Sequence, residues 1–191
     1  MLLGSDEVGI VAAACELCGR MNLAGAAPYL ARLAGHPDPT IRMAAIEGTR
    51  ALGSAGQAAS LIPALEDPER DVRIAAAQAL GHLKYRASAR HLRAAIEAKE
   101  IREADLTEMR TVFEAFGAVA DHTDVPMLAR LLSHKRFLRG YEPSELRACA
   151  ALALGRIEGP GAHDALIAAA NDPDAVVRSA ASRALRGDDR G

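Results

Sequence analysis

The sequence of 191 residues predicts an all-α fold, an α-solenoid of stacked antiparallel helix pairs with about eleven helices. Three observations predict it. A Val-Arg or Ile-Arg step followed by an alanine-rich run recurs along the chain; the hydrophobic half of the composition is mostly Ala with Leu, Val and Ile; and only 3% of residues are aromatic, with no Trp. Alanine-rich faces suit helices that approach closely, whereas a β-sandwich draws on branched and aromatic strand residues. No period-two alternation is sustained anywhere.

The repeat is plainest in LEDPERDVRIAAAQALGHL (65–83) and ANDPDAVVRSAASRAL (170–185). Arg42, Arg73, Arg147 and Arg178 anchor it, Val11 and Met109 occupy the same slot, and the spacings are 31, 31, 36, 38 and 31 residues. Counting from each anchor, positions −1, +3, +7 and +10 are predominantly apolar, which is the stripe of an amphipathic helix with one buried face. Gly19, Gly81, Gly117 and Gly155 at +8 read as terminators of that helix. A shorter helix precedes it, carrying Leu30, Leu61, Leu92, Leu128 or Leu166 as its buried residue. Between the two helices an acid stands four residues before the anchor, as Glu7, Asp38, Glu69, Asp105 and Asp174, where it can cap the second helix. Pro37, Pro39, Pro68 and Pro173 stop the first helix or open the second. The chain therefore divides into an N-terminal half-unit at 7–21 and units at about 26–53, 57–84, 87–120, 123–158 and 161–187, forming one solenoid over 1–191.

EDPERDVRIAAAQALG and NDPDAVVRSAASRAL resemble HEAT repeats, specifically the short bacterial type grouped with the phycobilisome-lyase-like repeats, and the likeness covers nearly the whole chain. It implies a ladder in which a turn Asp and the Arg six residues on link repeat to repeat; the matching pairs are Asp67 with Arg73 and Asp172 with Arg178. Where the pattern departs, at His36, Glu103 and Tyr141, the ladder should weaken.

Little in the sequence points to catalysis. Cys15 and Cys18 form a CxxC, but the repeat places Cys18 in the buried leucine slot, and no second pair accompanies them. The six histidines are scattered, no His-Glu dipeptide occurs, and there is no Gly-rich phosphate loop or nucleophile elbow. No catalytic residue, metal site or cofactor is expected. The three cysteines fit a reducing compartment, no 18-residue apolar run or basic-then-apolar leader is present, and a formal charge of −2 exerts no global pull on nucleic acid or anionic membranes. A cytoplasmic protein that binds neither nucleic acid nor membrane is the expectation.

Binding is the better-supported class. Positions +1, +5 and +9 face away from the buried stripe and would line a concave ridge made by Glu16, Met43, Glu47, Ile74, Gln78, Arg110, Glu114, Leu152 and Arg156. Apolar Met43, Ile74 and Leu152 among glutamates would suit a peptide or helix with a basic end. The plainer account is a solvated face laced by pairs such as Glu16 with Arg20 and Arg110 with Glu114. A second candidate is the edge formed by the longer units, where EAKEIREAD (97–105) is acidic and HKRFLRGYEP (134–143) supplies Lys135, Arg136, Phe137, Arg139 and Tyr141; there the acidic insert would neutralise the basic one. The half-unit at the N-terminus should expose some of Val8, Val11 and Cys15, with Leu2 and Leu3 as a partial lid, whereas Arg183, Arg186, Asp188, Asp189 and Arg190 cap the other end. That asymmetry predicts either self-association through the N-terminal end or membership of a longer array. The expected function is a non-enzymatic protein-interaction scaffold or adaptor; an enzyme or enzyme accessory related to bilin lyases is the alternative that the resemblance implies, and a nucleic-acid-binding HEAT-like protein the third.

Overall fold

The computed structural model describes residues 7–133 and 142–187. Ten α-helices and one long 3₁₀ helix make up the described residues: α1 (Val8–Arg20), α2 (Ala27–Leu33), α3 (Pro39–Ala51), the 3₁₀ helix Ala55–Glu66, α4 (Arg70–His82), α5 (Ala89–Glu97), α6 (Leu106–Val119), α7 (Val125–Leu132), α8 (Ser144–Leu154), α9 (Pro160–Ala169) and α10 (Ala175–Arg186). No strand forms among them. The all-α solenoid class read from the repeat is the fold found. The 3₁₀ segment occupies a first-helix position because Pro63 lies inside it: proline has no N–H to donate, and its ring clashes with the carbonyl four residues back.

Contacts group the chain into two compact units, Met1–Leu92 and Arg93–Gly191, with the boundary inside α5. In the first unit α1, α3 and α4 pack in sequence as one layer, and α2 and the 3₁₀ helix form the other. In the second unit α6, α8 and α10 pack in sequence, with α7 and α9 behind them. The first-helix leucines Leu30, Leu61, Leu92, Leu128 and Leu166 are all buried, as are the +3 residues of every second helix. At −1 the exception is Ile10, which is exposed; Val11 and Cys15, expected on the outer side, instead face the core around α3. Leu2, Leu3, Asp188, Asp189 and Arg190 lie outside the described residues.

Of the +8 glycines only Gly155 stands at a helix end, as the C-cap of α8. Gly19 and Gly117 lie within α1 and α6, and each marks a point where the next second helix comes close. A Cβ on Gly19 would stand 2.8 Å from Ala51 Cβ and 3.2 Å from the Gly48 backbone; one on Gly117 would stand 3.0 Å from Ala153 Cα; one on Gly155 would stand 2.7 Å from Ala184 Cβ. The residue that receives this approach is at +6, as Gly48, Ala153 or Ala184; α4 and α6 carry Ala79 and Ala115 at the same position. All five are buried. Alanine richness is thus a steric requirement of the stack.

At the turns the cap positions divide by side-chain length. Asp38, Asp105 and Asp174 accept from backbone amides of the first helical turn, while Glu7 and Glu69 make no such cap, their extra methylene carrying the carboxylate past the amides. The ladder also runs in a different register from the one implied by the resemblance. Arg73 donates to the Asp67 and Pro68 carbonyls at 2.8 and 3.1 Å, and the Asp67 carboxylate takes a bidentate fork from Arg42 of the preceding repeat, both bonds 2.7 Å. Asp67 Oδ1 also accepts from the Glu69 amide. The second unit repeats the scheme: Arg178 donates to the Asp172 and Pro173 carbonyls, while buried Arg147 donates to the Asp172 carboxylate and to the Leu132 carbonyl. At His36, ring Nδ1 stands in for the aspartate and accepts from the Asp38 amide at 3.0 Å. Burial opposes the Asp67 charge, but the Arg42 fork and the Glu69 amide outweigh it and hold this carboxyl below the ordinary carboxylate range.

Two outcomes follow from this packing. Asp67→Ala should destabilise the fold by about 2–4 kcal/mol, because it strands a half-buried guanidinium and an amide, whereas Asp71→Ala, which removes an exposed partner of Arg70, should cost under about 0.5 kcal/mol. Since the Asp67 pKa is depressed on folding, its contribution is complete above the unfolded value near 4 and is lost as pH falls through the folded value; urea titrations should therefore show the wild-type advantage over Asp67→Ala narrowing below about pH 4. Within α1, Gly19→Ala should lower the melting temperature by overpacking, at a cost of about 1–3 kcal/mol. Gly9→Ala, where a Cβ meets nothing within 4 Å, should raise it by about 0.5–1 kcal/mol of helix propensity. Equal shifts for the two glycines would refute the close-approach account.

Candidate interaction surfaces

Positions +1 and +5 face outward on α3 and α4 and, at Arg110 and Glu114, on α6, but not at Leu152 on α8. On α3 and α4, Met43 is 38% exposed, Gln78 is exposed, and Ile74 and Glu47 are half-buried, so positions +1 and +5 do face outward. Glu16 on α1 is exposed as well. The charges are less available than the sequence suggests, because Arg50 pairs with Glu47 at 2.6 Å one turn along the helix. The expected pair of Glu16 with Arg20 does not form, and among the described residues neither has an ion-pair partner.

In the second unit the expected pair is present: Arg110 Nε donates to Glu114 Oε1 at 2.6 Å. Leu152, predicted to stand open on the ridge, is only 7% exposed, and every residue from Leu146 to Leu154 is buried. The close approach is the reason. Helix α8 has α6 on one side at Gly117–Ala153 and α10 on the other at Gly155–Ala184, so its neighbours leave no open groove along its outer face. Arg156 is half-buried, with its Cδ 3.2 Å from where a Gly117 Cβ would stand. A shallow cleft of about 280 Å³ opens beside Leu154, Ile157, Glu158, His163, Leu166 and Ala184, with polar and apolar groups both on its walls.

The long-loop edge was expected to join an acidic insert to a basic one. Among the described residues the pair that links them has the opposite sense: Arg102 of the acidic insert forks onto Glu142 of the basic segment, Nε to Oε2 at 3.0 Å and Nη2 to Oε1 at 2.9 Å. This fork does the work of the Arg42–Asp67 rung in a unit whose anchor is Met109 and whose turn residue is Glu103. Lys135, Arg136, Phe137, Arg139 and Tyr141 lie outside the described residues. Sequence reading missed the fork because its members sit one position off the repeat frame, at Arg102 and Glu142.

The thiols behave as core residues. Cys15, Cys18 and Cys149 are buried and free. Burial pushes Cys15 up to about 11, helped by neighbouring Cys18, and burial likewise pushes Cys149 up to about 11. Neither supplies a thiolate near neutral pH. Among the described residues no cluster of three His, Cys, Asp or Glu side chains is placed to hold a metal ion, and no helix is long and apolar enough to cross a membrane.

Comparison with known proteins agrees with this architecture. The phycocyanin lyase complex of CpcE and CpcF from Nostoc sp. PCC7120 is similar over 96% of this chain and 73% of that chain, at 22% identity and a TM-score of 0.68. An engineered protein is similar over 100% and 96%, at 18% identity and a TM-score of 0.62, and a designed armadillo repeat protein over 97% and 96%, at 16% identity and a TM-score of 0.57. At these identities the likeness is one of fold. No curated protein matches in sequence. The sequence model of HEAT repeats matches residues 1–81 and 111–186, most of the chain, and with the anchor spacing, the Arg-to-Asp rungs and the paired helices on the same residues, this chain belongs to the HEAT-repeat family.

Proposed function

We propose that the chain works as a protein-interaction scaffold rather than as an enzyme, and that its first unit holds a partner segment across the outer face of α3 and α4. The observation that carries this reading is the placement of exposed Met43 and half-buried Ile74 at the same +1 register of consecutive second helices, beside Glu47 and Gln78. Neighbouring helices in such a layer lie about 8–10 Å apart. Two apolar pegs at that distance match the side chains of a helix or extended segment that carries its own apolar residues two to four positions apart. Glu47 is already engaged by Arg50, so the glutamates act at the rim, steering approach and orientation, while affinity comes from the apolar pegs.

Met43 is the residue to change, because it is exposed and its loss leaves the core intact. Met43→Glu should reduce capture of the principal partner from a lysate of the source organism by at least about tenfold, a hot-spot effect of 1.4 kcal/mol or more. Its thermal midpoint should stay near that of the wild type, as for most surface changes. Undiminished capture by Met43→Glu would overturn the α3–α4 surface as the docking site.

A further inference from the structure

We propose that α1 is a homodimerisation helix, joining two copies of this chain through an antiparallel, two-fold contact centred near Leu17. Six of the ten large apolar side chains left exposed among the described residues lie between Val8 and Tyr29. Three of them form one stripe. Ile10, Leu17 (45% exposed) and Met21 (65% exposed) fall within about 40° of one another on the helix, on a face separate from the Val11, Cys15 and Cys18 face that packs on α3. Leu23 extends the stripe beyond the helix end. These are positions −1, +6 and +10, the same positions through which α3 meets α1, so the stripe continues an interface already used inside the fold.

The stripe is not shaped for another repeat of this kind. At +6 every later second helix has Gly or Ala, and at Gly48, Ala153 and Ala184 the preceding helix comes within contact of its backbone; α1 has Leu17. A head-to-tail stack on α10 of another copy would set Arg186, which stands in the register of the rung glycines, against that leucine. A second α1 is different, because it brings the same long apolar side chains and accepts a wider helix separation. Charge then selects the direction. Glu16 and Arg20 border the stripe on one side, both exposed and neither paired among the described residues. In a parallel two-fold contact the Glu16 and Arg20 edges of the two copies would lie on opposite sides of the seam and could not pair with each other. In an antiparallel contact crossing at the level of Leu17 to Gly19, Glu16 of each copy meets Arg20 of the other, twice.

The test uses the full chain in sedimentation or light scattering between about 1 and 100 µM, where a contact of this size should give a dissociation constant on the order of 10 µM or tighter. The expected mass is twice 20.1 kDa. Leu17→Asp should weaken association at least about 30-fold with an unchanged helical signal; should that variant lose helix, Met21→Asp at the more exposed site reads the same contact. Glu16→Arg and Arg20→Glu should each weaken it about tenfold, and the combined swap should return within about threefold of wild type. A wild-type monomer at 100 µM, a mass that grows past two copies, or a dimer indifferent to Leu17→Asp and Met21→Asp overturns the proposal. A combined swap as weak as the single swaps overturns the antiparallel register.

Discussion

The constraint on which the rest of this structure depends is the distance between consecutive second helices. Where Gly19 faces Gly48 and Ala51, Gly117 faces Ala153, and Gly155 faces Ala184, no Cβ fits without displacing backbone or another Cβ. That spacing makes the alanines obligatory and removes any place for Trp in the layer. It also decides what remains exposed. A helix flanked this closely on both sides, as α8 is, loses its outer face as well as its inner one, so even Leu152 at the outermost register is covered. Dispersion accumulates over many short contacts rather than a few large ones, which is how a chain with 3% aromatic residues fills its interior.

Close helices need their turns held to the same spacing, and at two of the turns an aspartate, Asp67 or Asp172, does this. Asp67 ties together three pieces of chain: its carbonyl receives the arginine of its own repeat, its carboxylate receives the arginine of the repeat before, and one of its oxygens receives the amide that starts the next helix. Two charge-assisted bonds in a shielded site and one backbone bond fix both the turn and the neighbour. Where the frame stretches to 36 and 38 residues the anchor becomes Met109 and this arrangement has no arginine to use. Arg102 and Glu142 supply a fork of the same chemistry from inside the longer connections. The rung therefore follows the need for a clamp at that edge more faithfully than it follows any one sequence position.

Helix periodicity, the anchor spacing and the buried leucines were legible because each is a one-dimensional pattern: residues seven apart on a helix share a face whatever lies opposite. The burial of Cys18 was equally legible, since it sits in the slot filled elsewhere by leucine. What could not be read depends on distances between helices. The +8 glycines looked like terminators because glycine near a helix end usually is one; only the 2.8 Å approach to Ala51 shows that Gly19 serves the neighbouring helix. The same blindness placed Leu152 on an open ridge and assigned Asp67 to the arginine six residues away rather than to Arg42, twenty-five residues earlier. Sequence offset says which residues share a face, and the partner across the gap is set by packing.

Departures from the repeat are then the places where stacking has released the chain. Positions +3 and +6 answer to neighbours and are Ala or Gly in most repeats; +1 and +5 on α3 and α4 face outward, and there Met43, Ile74, Glu47 and Gln78 differ from one repeat to the next. Leu17 breaks the one rule that every later second helix obeys, on a face of α1 that is exposed among the described residues. An apolar side chain in water gains nothing for the monomer, and in a stack this regular the small residue would have been the simpler choice for either a plain end or a further repeat. A leucine at that register, with isoleucine and methionine aligned beside it, gains stability only when a surface that is itself rich in long side chains covers it, and that condition separates this face of α1 from every helix contact inside the two units.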